Sequence, residues 1–318
     1  MHQTGPTGAG AQSSAGTPSG IGFDVGGSSI KAGRVDREGR ILSRGGRDLG
    51  EGASFEQLLS ACAELFRELG GGNGLGIGVP GLLDLRLGGV TDSPNLPYLD
   101  GQPLVSALET RLSLPRGAVR LENDANAAAL GEDWLGSGKE LSDFLFVTLG
   151  TGVGGGLILS GKLYRGFGMA GEIGHVKVAR EGPRCGCERI GCLETFASAT
   201  AARRRAEAAG LPPGAPGDLR ALDEAAARSA GPERDLLEAI GFDLGLGLAT
   251  ALNLLDLRAF VIGGGFAATF PRLEPGIRRG LSAGSYGQRL DGVLLRPASL
   301  GTDAGWLGAA RLGLSLCD

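Results

Sequence analysis

One short stretch of this sequence, residues 171–194, concentrates the residue types that bind transition metals. His175 is followed after nine residues by Cys185, and Cys187 and Cys192 come soon after it. Three thiolates and one imidazole form a usual tetrahedral ligand set for structural zinc, so the spacing predicts a zinc site. The alternative is a disulfide framework in which His175 is an ordinary core histidine. A Cys-x-Cys pair and an odd total of five cysteines suit that framework badly.

A closed site with four protein ligands leaves no position for a reacting water, so we expect this metal to shape a loop. Glu172 and Glu194 stand at the two ends of the loop and are candidates to point into the space that it walls off. His175 can serve both purposes, because one ring nitrogen can take the metal while the other donates to a ligand oxygen.

The composition limits the class of protein. A chain of 318 residues, with 42% hydrophobic and 21% charged residues, is long enough for two lobes with substantial cores. Its formal net charge of -4 argues against a nucleic-acid partner and against a membrane-surface partner. Few cysteines, clustered at metal spacing, indicate a reducing cytoplasm. We expect residues 1–20 to form a flexible tail, because they lack the features of a signal peptide.

Two segments have the pattern of a strand, a glycine-rich turn and a second strand, and residues 21–35 are the first. Backbone and side-chain donors at such a turn can hold phosphate oxygens, and Asp24 before the turn could hold a hydrated magnesium ion. An ordinary hairpin turn is the alternative, and the segment lacks the Gly-Lys-Ser/Thr of a Walker A loop. The candidate donors are Gly26, Gly27, Ser28, Ser29 and Lys31.

Residues 144–159 repeat this arrangement. Gly150, Gly152 and Gly155 also satisfy G-x-G-x-x-G, but extended residues follow them where a dinucleotide fold requires a helix. A glycine triplet at 263–265 follows a predicted strand and could let an adenine lie flat against the backbone, although a tight turn explains it equally well. Two hairpins of the phosphate-binding type in one chain are more informative than either alone.

Strands and helices alternate in the first half of the chain. Residues 54–69 have helical spacing with Ser54 as N-cap, and residues 75–79 read as a strand, so we expect a parallel layer. A further strand at 119–121 leads to Asn123 and Asp124 at the start of an alanine-rich helix. Either residue could simply cap the helix. However, the end of a strand is also where open α/β sheets place reactive groups.

Seven motifs, in order, resemble the ROK family of sugar kinases, and bacterial glucokinases in particular. They are DVGGSSIK, GIGVPG, ENDANAAALGE, TLGTGVGGGLI, AGEIGH, CGCERIGCLE and VIGGG, within about residues 20–318. Two positions depart from the family pattern. Ser28 stands where threonine is usual, which keeps the hydroxyl, and Glu188 replaces a usual glycine in the cysteine loop, which could alter the loop conformation.

The resemblance implies an α/β, two-lobed actin/hexokinase-like (ribonuclease H-like) fold with an interlobe cleft. The small lobe would comprise residues 21–122 with 302–318, and the large lobe residues 123–301 with the zinc loop at 175–192. The final helix would begin near Asp303 and return to the first lobe. The family also implies a homodimer or homotetramer.

The resemblance further implies roles for individual residues. ATP with Mg²⁺ would lie over the two hairpins and the third glycine turn, and Asp124 would be the general base. Zn²⁺, held by His175, Cys185, Cys187 and Cys192, would shape the sugar-binding wall. The implied sugar-binding residues are Gly81, Asn123, Asp124, Glu172, His175 and Glu194. The implied ATP-binding residues are Asp24, Gly26, Gly27, Ser28, Ser29, Lys31, Gly150, Thr151, Gly152, Gly264 and Gly265.

These assignments predict a cytoplasmic enzyme that phosphorylates a hexose, glucose first, at its 6-hydroxyl. A kinase for N-acetylmannosamine, another hexosamine or fructose is the nearest alternative. The same family includes sugar-responsive regulators with an N-terminal DNA-binding domain, whereas only about twenty residues precede the first hairpin here. A zinc-ribbon interaction module is disfavoured, because it would need a second pair of ligands.

Overall fold

The computed structural model describes residues 18–50, 52–212 and 219–316. Most of the predicted N-terminal tail therefore lies outside the described residues. Ser19 and Gly20, the last two residues assigned to it, already belong to the first strand.

A first mixed sheet of five strands has the order β3-β2-β1-β4-β7. β1, β2 and β3 pair antiparallel in sequence, and β4 and β7 extend the sheet in parallel beyond β1. A small separate hairpin, β5 and β6, follows β4. The strands are β1 Ser19–Val25, β2 Ser29–Asp36, β3 Ile41–Asp48, β4 Leu75–Val79, β5 Leu82–Asp84, β6 Gly89–Asp92 and β7 Val119–Asn123. The helices of this part are α1 Phe55–Glu68 and α2 Leu104–Arg111.

A second five-stranded sheet has the order β10-β9-β8-β11-β12 and repeats the strand directions of the first. Its strands are β8 Phe144–Leu149, β9 Val153–Leu159, β10 Lys162–Tyr164, β11 Ala259–Gly263 and β12 Leu294–Pro297. The remaining helices are α3 Asp124–Leu135, α4 Glu194–Ala197, α5 Ala199–Ala208, α6 Arg220–Arg228, α7 Pro232–Leu255, α8 Phe270–Gly284 and α9 Ala304–Leu314. Each sheet has its own buried core, with Phe23 and Ile77 fully buried in the first and Phe260 and Ile262 in the second.

Two helices connect these halves, and they cross at glycines. α3 leads from the first sheet to the second, and α9 returns from β12 to pack on β1 and β4. A Cβ atom at Gly308 of α9 would lie 1.7 Å from the carbonyl oxygen of Ala127 in α3, so this close approach requires glycine. The buried carboxylate of Glu132 accepts from the backbone N–H groups of Ser137 and Leu300. These bonds tie the segment that follows α3 to the segment that precedes α9.

The local patterns predicted most of these elements. α1 has the expected N-cap at Ser54, completed by a reciprocal hydrogen bond with Gln57, and both glycine-rich hairpins are present. Strand β4 and the parallel layer are also confirmed. Within the described ranges, none of the helices combines the length and apolar character needed to cross a membrane. The predicted lobe boundaries remain a proposal.

Candidate active site and metal centre

The four predicted metal ligands converge on one point. A ring nitrogen of His175 and the Sγ atoms of Cys185, Cys187 and Cys192 all lie within 4.8 Å of one another. The Nδ1 of His175 is 3.6 Å from the Sγ of Cys185, and the sulfurs of Cys187 and Cys192 are 3.5 Å apart. Ligand atoms around a tetrahedral zinc lie roughly 3.5–4 Å from one another. The donor set therefore fits zinc in both chemistry and spacing.

Neighbouring donors suit two of the three sulfurs for binding a cation as thiolates, whereas burial and Glu194 raise the pKa of Cys185, so a cation bound there would displace the thiol proton. The Nζ of Lys177 lies 2.9 Å from the Sγ of Cys192, and its positive charge would offset part of the negative charge of three thiolates. Burial alone would raise the pKa of Cys187, but the backbone N–H of Arg189 and the neighbouring thiols lower that pKa to about 7. Zinc bound here would brace the loop, because all four of its positions would be filled by protein.

The metal loop contains residues with a left-handed backbone, among them Gly191 and Glu188. Gly191 has φ +81°, and a Cβ atom there would lie 1.9 Å from the carbonyl oxygen of Ala179. Glu188, which replaces a glycine in the family pattern, has φ 66°. The substitution therefore keeps the loop in a glycine-type conformation, at some cost in backbone strain.

The metal loop is joined to two carboxylates. The Nε2 of His175 lies 3.9 Å from a carboxylate oxygen of Glu172, so the ring nitrogen on the far side from Cys185 faces the predicted sugar site. The thiol of Cys185 donates to Oε1 of Glu194 at 3.0 Å, and the N–H of Val153 donates to Oε2 at 3.3 Å. Glu194 therefore links the metal loop to the second glycine-rich hairpin.

Asn123 takes the capping role at the start of α3, and Oδ1 of Asp124 also accepts there, from the N–H of Ala125 at 2.9 Å. The side-chain oxygen of Asn123 caps α3 by accepting from the N–H groups of Ala125 and Asn126, at 2.9 and 3.1 Å. Its amide nitrogen donates to the carbonyl oxygen of Gly81 at 3.3 Å. Asp124 is therefore not needed as the cap. Burial raises the pKa of Asp124, although hydrogen bonds from backbone N–H groups and Asn123 partly oppose that effect.

Asp24 lies within electrostatic reach of Asp124. Burial and the charge of Asp124 raise the pKa of Asp24 to about 6, while Lys31, its partner in the β1–β2 ladder, acts in the opposite direction. Glu172 belongs to the same group of acids: burial raises its pKa, His175 opposes this, and the charges of Asp124 and Glu194 raise it further. Carboxylates gathered without enough positive charge are suited to a cation and to hydrogen-bonding ligands.

Three consecutive glycines in β9 hold these pieces together. A Cβ atom at Gly156 would lie 2.5 Å from the Cβ of Ala129 in α3, and one at Gly155 would lie 2.5 Å from the carbonyl oxygen of Gly171. The helix that begins with Asp124 packs on one face of β9, and the segment that carries Glu172 packs on the other. In the sequence Gly155 stands out only as the last glycine of a G-x-G-x-x-G pattern, for which a dinucleotide fold is disfavoured. The signal for its packing role is a glycine run inside an apolar strand, which marks close backbone approach.

The glycine turns of the second half adjoin one another. A Cβ atom at Gly264 would lie 2.4 Å from the carbonyl oxygen of Leu149, directly before the Gly150–Gly152 turn, and Gly264 has φ +87°. The start of α5 is anchored to that turn, because the N–H of Ala199 donates to the oxygen of Gly150 and the hydroxyl of Thr200 donates to that of Thr151. A cavity of about 260 Å³ opens beside them. Its lining includes Ala199, Leu219, Asp223, Gly265, Phe266 and Thr269.

The first hairpin contributes its turn separately. Gly27 and Ser28 are exposed at the tip, and the N–H of Gly26 donates to the carbonyl oxygen of Ser29 at 2.8 Å. Neither hairpin turn opens into a helix, as predicted. The structure thus brings the predicted sugar-binding residues and Asp24 into one electrostatically connected group. In the second half it places Gly264 against the end of β8, before the Gly150–Gly152 turn, and Gly265 in the lining of the cavity.

Comparison with known proteins identifies the family. Residues 20–315 match the ROK family. Glucokinases from Halalkalibacterium halodurans and Streptomyces coelicolor are 35% and 36% identical, over 92% of this chain and 94% and 96% of their own lengths. The solved ROK family glucokinase from Streptomyces griseus, in complex with glucose and AMPPNP, has a TM-score of 0.78 at 35% identity and covers 92% of this chain and 98% of its own.

Other similar proteins differ in activity. A xylose repressor from Bacillus spizizenii is 32% identical over 75% of this chain and 60% of its own length. A structure from Listeria monocytogenes, provisionally assigned as an N-acetylmannosamine kinase, has a TM-score of 0.78 at 28% identity, over 94% of this chain and 99% of its own. The match to the family spans nearly the whole described chain, and its predicted motifs converge in space. The chain belongs to the ROK family.

Proposed function

We propose that this sugar kinase transfers the γ-phosphoryl group of ATP to the 6-hydroxyl of a hexose, with glucose as the preferred acceptor. The observation that carries the proposal is the position of Asp124, which lies within electrostatic reach of both Glu172 and Asp24. A carboxylate in that position would be near both a sugar held by Glu172 and a cation held by Asp24.

The proposed sugar site consists of an amide, three carboxylates and an imidazole. Asn123, Glu172, His175 and Glu194 would each pair with hydroxyls, and Gly81, which accepts a hydrogen bond from Asn123, would border the same space. Such groups suit a polyol, because carboxylates accept from hydroxyls while amide and imidazole N–H groups donate to them. Zinc on Nδ1 of His175 would leave the proton on Nε2, so that this nitrogen donates to the sugar.

Asp124 would act as the general base. As the 6-oxygen forms its bond to the γ-phosphorus, Asp124 accepts the hydroxyl proton and the bond from the γ-phosphorus to the β,γ-bridging oxygen breaks, which releases ADP. A pKa raised by burial suits this role, because it brings the strength of the base closer to the pH at which the reaction runs. Asn123 supplies the cap of α3, while Oδ1 of Asp124 accepts from the N–H of Ala125, so Oδ2 of Asp124 would accept the proton.

The two hairpin turns and the Gly264 turn would hold the nucleotide. The exposed N–H and hydroxyl groups of Gly27 and Ser28 in the first turn, and those of Thr151 in the second, would bind phosphate oxygens. Gly26 and Ser29, like Gly150 and Gly152, would close the two turns by their backbone hydrogen bonds. The cavity beside Gly265 would take the adenine. Asp24 and Lys31 would lie at the phosphates, and a magnesium ion held by Asp24 would neutralise charge on them. Closure of the cleft would exclude water and so limit hydrolysis of ATP.

A coupled assay of the purified protein with a panel of hexoses tests this proposal. We expect glucose and ATP to give the highest kcat/KM, with product phosphorylated at the 6-position by nuclear magnetic resonance. A clear preference for N-acetylmannosamine or fructose would select the alternative kinase assignment. Absence of phosphorylation for every sugar, together with salt-sensitive binding to DNA, would replace the kinase with the regulator.

Two further parts of the proposal are a cytoplasmic location and a homodimer or homotetramer. ATP and a reducing environment for thiolates occur together in the cytoplasm. Light scattering after size-exclusion chromatography measures the oligomeric state directly.

A further inference from the structure

An ion pair between a buried carboxylate and a partly exposed guanidinium joins the edges of the two sheets. Glu122, which is 2% exposed, lies in β7 directly before Asn123 and Asp124. Arg165 follows β10 directly. The Nε of Arg165 donates to Oε2 of Glu122 at 2.7 Å. β7 and β10 are edge strands of different sheets, so this contact links the two halves of the molecule.

The second oxygen of Glu122 holds the start of α3. Oε1 accepts from the N–H of Asn123 at 3.1 Å and from the side-chain amide of Asn126 at 3.0 Å. These two donors lie on either side of Asp124 in the chain. Glu122 therefore fixes the backbone turn that presents the proposed base.

Arg165 organises the segment that leads to Glu172. Its carbonyl oxygen accepts from the N–H groups of Gly168 and Ala170, at 2.8 and 3.3 Å, and so folds residues 165–170 into a compact turn. Gly171, packed against β9, and Glu172 follow at once. A shift of Arg165 would be transmitted to the sugar-binding wall through this short turn.

We propose that Glu122 and Arg165 are positioning residues, whose ion pair, with its carboxylate buried, sets the separation between the base Asp124 and the sugar-binding Glu172. This inference rests on the proposed function of those two residues. Glu122 points into the protein and is already occupied by three donors, so it acts on the reaction through Asn123 and Asp124. A small misplacement of reacting groups can cost about a hundredfold in rate, so a pair that controls this separation has a large effect.

The double variant Glu122→Gln/Arg165→Met tests the pair without leaving a buried charge unpaired. The glutamine oxygen keeps an acceptor for Asn123 and Asn126, while the bond between the two halves is lost. Arg165→Met alone would leave the carboxylate without its cation and would destabilise the fold. We expect the double variant to raise the sugar KM, and the sugar Kd from calorimetry without nucleotide, about tenfold or more. We expect kcat to fall by a similar factor and the ATP KM to change less than about twofold.

A matched control removes an ion pair distant from Asp124. The Nη1 of Arg205 in α5 lies 2.6 Å from Oδ2 of Asp243 in α7. The two side chains are 25% and 21% exposed. Arg205→Met/Asp243→Asn should lower the melting temperature without a selective change in the sugar KM. Arg165→Lys should lie between wild type and the double variant, because lysine restores the charge but not the guanidinium geometry.

Wild-type sugar KM and kcat in a folded Glu122→Gln/Arg165→Met protein would overturn the positioning role. Equal increases in the sugar and ATP KM, matched by the control, would also overturn it. Failure of the kinase proposal has a different signature, since the wild-type protein would then phosphorylate no hexose. Even so, sugar affinity measured by calorimetry would still show whether the pair shapes the sugar wall.

Discussion

β1 and β8 occupy the same place in two sheets of the same strand order, yet their next-to-last residues are Asp24 and Thr148. The last strand of each sheet leads to a helix, and the residues at these two helix starts also differ. β7 runs into α3 with Asn123 and Asp124 at the junction, whereas α9 follows β12 with Asp303 before it. Asp303 accepts from Trp306 and Arg44, so its carboxylate is committed to packing.

The second half carries a different addition. Between β10 and α5 it contains the loop with the four metal ligands, whereas in the first half β3 leads to α1 through a short link. One scaffold therefore appears twice, with the proposed acids for phosphoryl transfer, Asp24 and Asp124, in the first copy and the metal loop in the second. The same strand order supplies the frame in both halves, so under the proposed function single residues at equivalent strand ends would decide which copy does the chemistry.

The largest expected effect comes from substitutions at the starts of α3 and α9, where Asp124 and Asp303 stand. Asp124→Asn removes the proton acceptor but keeps the size of the side chain, so kcat should fall about 10²–10⁴-fold with little change in the sugar KM. Asp303→Asn, at the equivalent place in the second half, should leave kcat near wild type and lower only the melting temperature. Steady-state kinetics of the two variants measure the contrast, and near-normal turnover by Asp124→Asn would remove Asp124 from the base role.

Substitutions of Asp24 in β1 and of Thr148 at the equivalent position of β8 should differ in how their effect on the free energy of unfolding depends on pH. The folded-state pKa of Asp24 is raised to about 6 from an ordinary value of 3.8, so the folded state favours the protonated acid. The contribution of this group to the free energy of unfolding is fully present below pH 3.8 and is lost as the pH rises through about 6. Asp24→Asn should therefore raise the free energy of unfolding by about 2–3 kcal/mol above pH 6, without Mg²⁺ or ATP, and by little near pH 4.

Thr148→Val is the control, because it changes the equivalent strand position but no titrating group. Its stability relative to wild type should not vary with pH. Denaturant unfolding at several pH values measures both variants. A destabilised Asp24→Asn protein at neutral pH would contradict the account of a strained acid. We also expect this variant to lose kinase activity, since it gains stability by giving up the proposed Mg²⁺ ligand.

The metal loop is the part that the first half lacks. Removal of its metal should weaken the binding of sugar and leave the binding of ATP unchanged. We expect about one zinc per chain by elemental analysis. Stripping it with a strong chelator should weaken sugar binding about 10–100-fold, because the ligands also orient His175 and the wall. Cys62→Ala, which removes a buried cysteine of the first half, should keep the full zinc content. Unchanged sugar affinity in metal-free protein would separate the metal from the sugar site.

The smallest effect concerns the backbone of that loop. Glu188→Gly should stabilise the zinc-bound protein by about 0.5–1 kcal/mol, since relief of the left-handed strain exceeds the entropy cost of glycine. Gly191→Ala should act in the opposite direction, because its methyl group would collide with the carbonyl oxygen of Ala179. Thermal unfolding compares the two. A destabilising Glu188→Gly change would indicate that the glutamate side chain makes a contact worth more than the strain.

Local patterns predicted the hairpins, α1 and the metal cluster, because strand alternation, helix capping and ligand spacing are each written within a few residues. The packing of β9 was not predictable in this way. Gly155 and Gly156 meet Gly171 and Ala129, and such contacts depend on elements that approach only in the folded chain. The bond between Glu122 and Arg165 spans forty-three positions and has no motif. The elements that form the cavity beside Gly265 are likewise assembled from separate helices.

The glycine run of β9 has one more consequence. A single extended strand separates the helix that begins with Asp124 from the segment that carries Glu172, so its bare backbone sets how closely the two approach. A methyl group on one face would displace the helix, and a methyl group on the other would displace the segment. Gly156→Ala and Gly155→Ala would thus move the proposed base and the proposed sugar-binding residue separately, from adjacent positions of one strand.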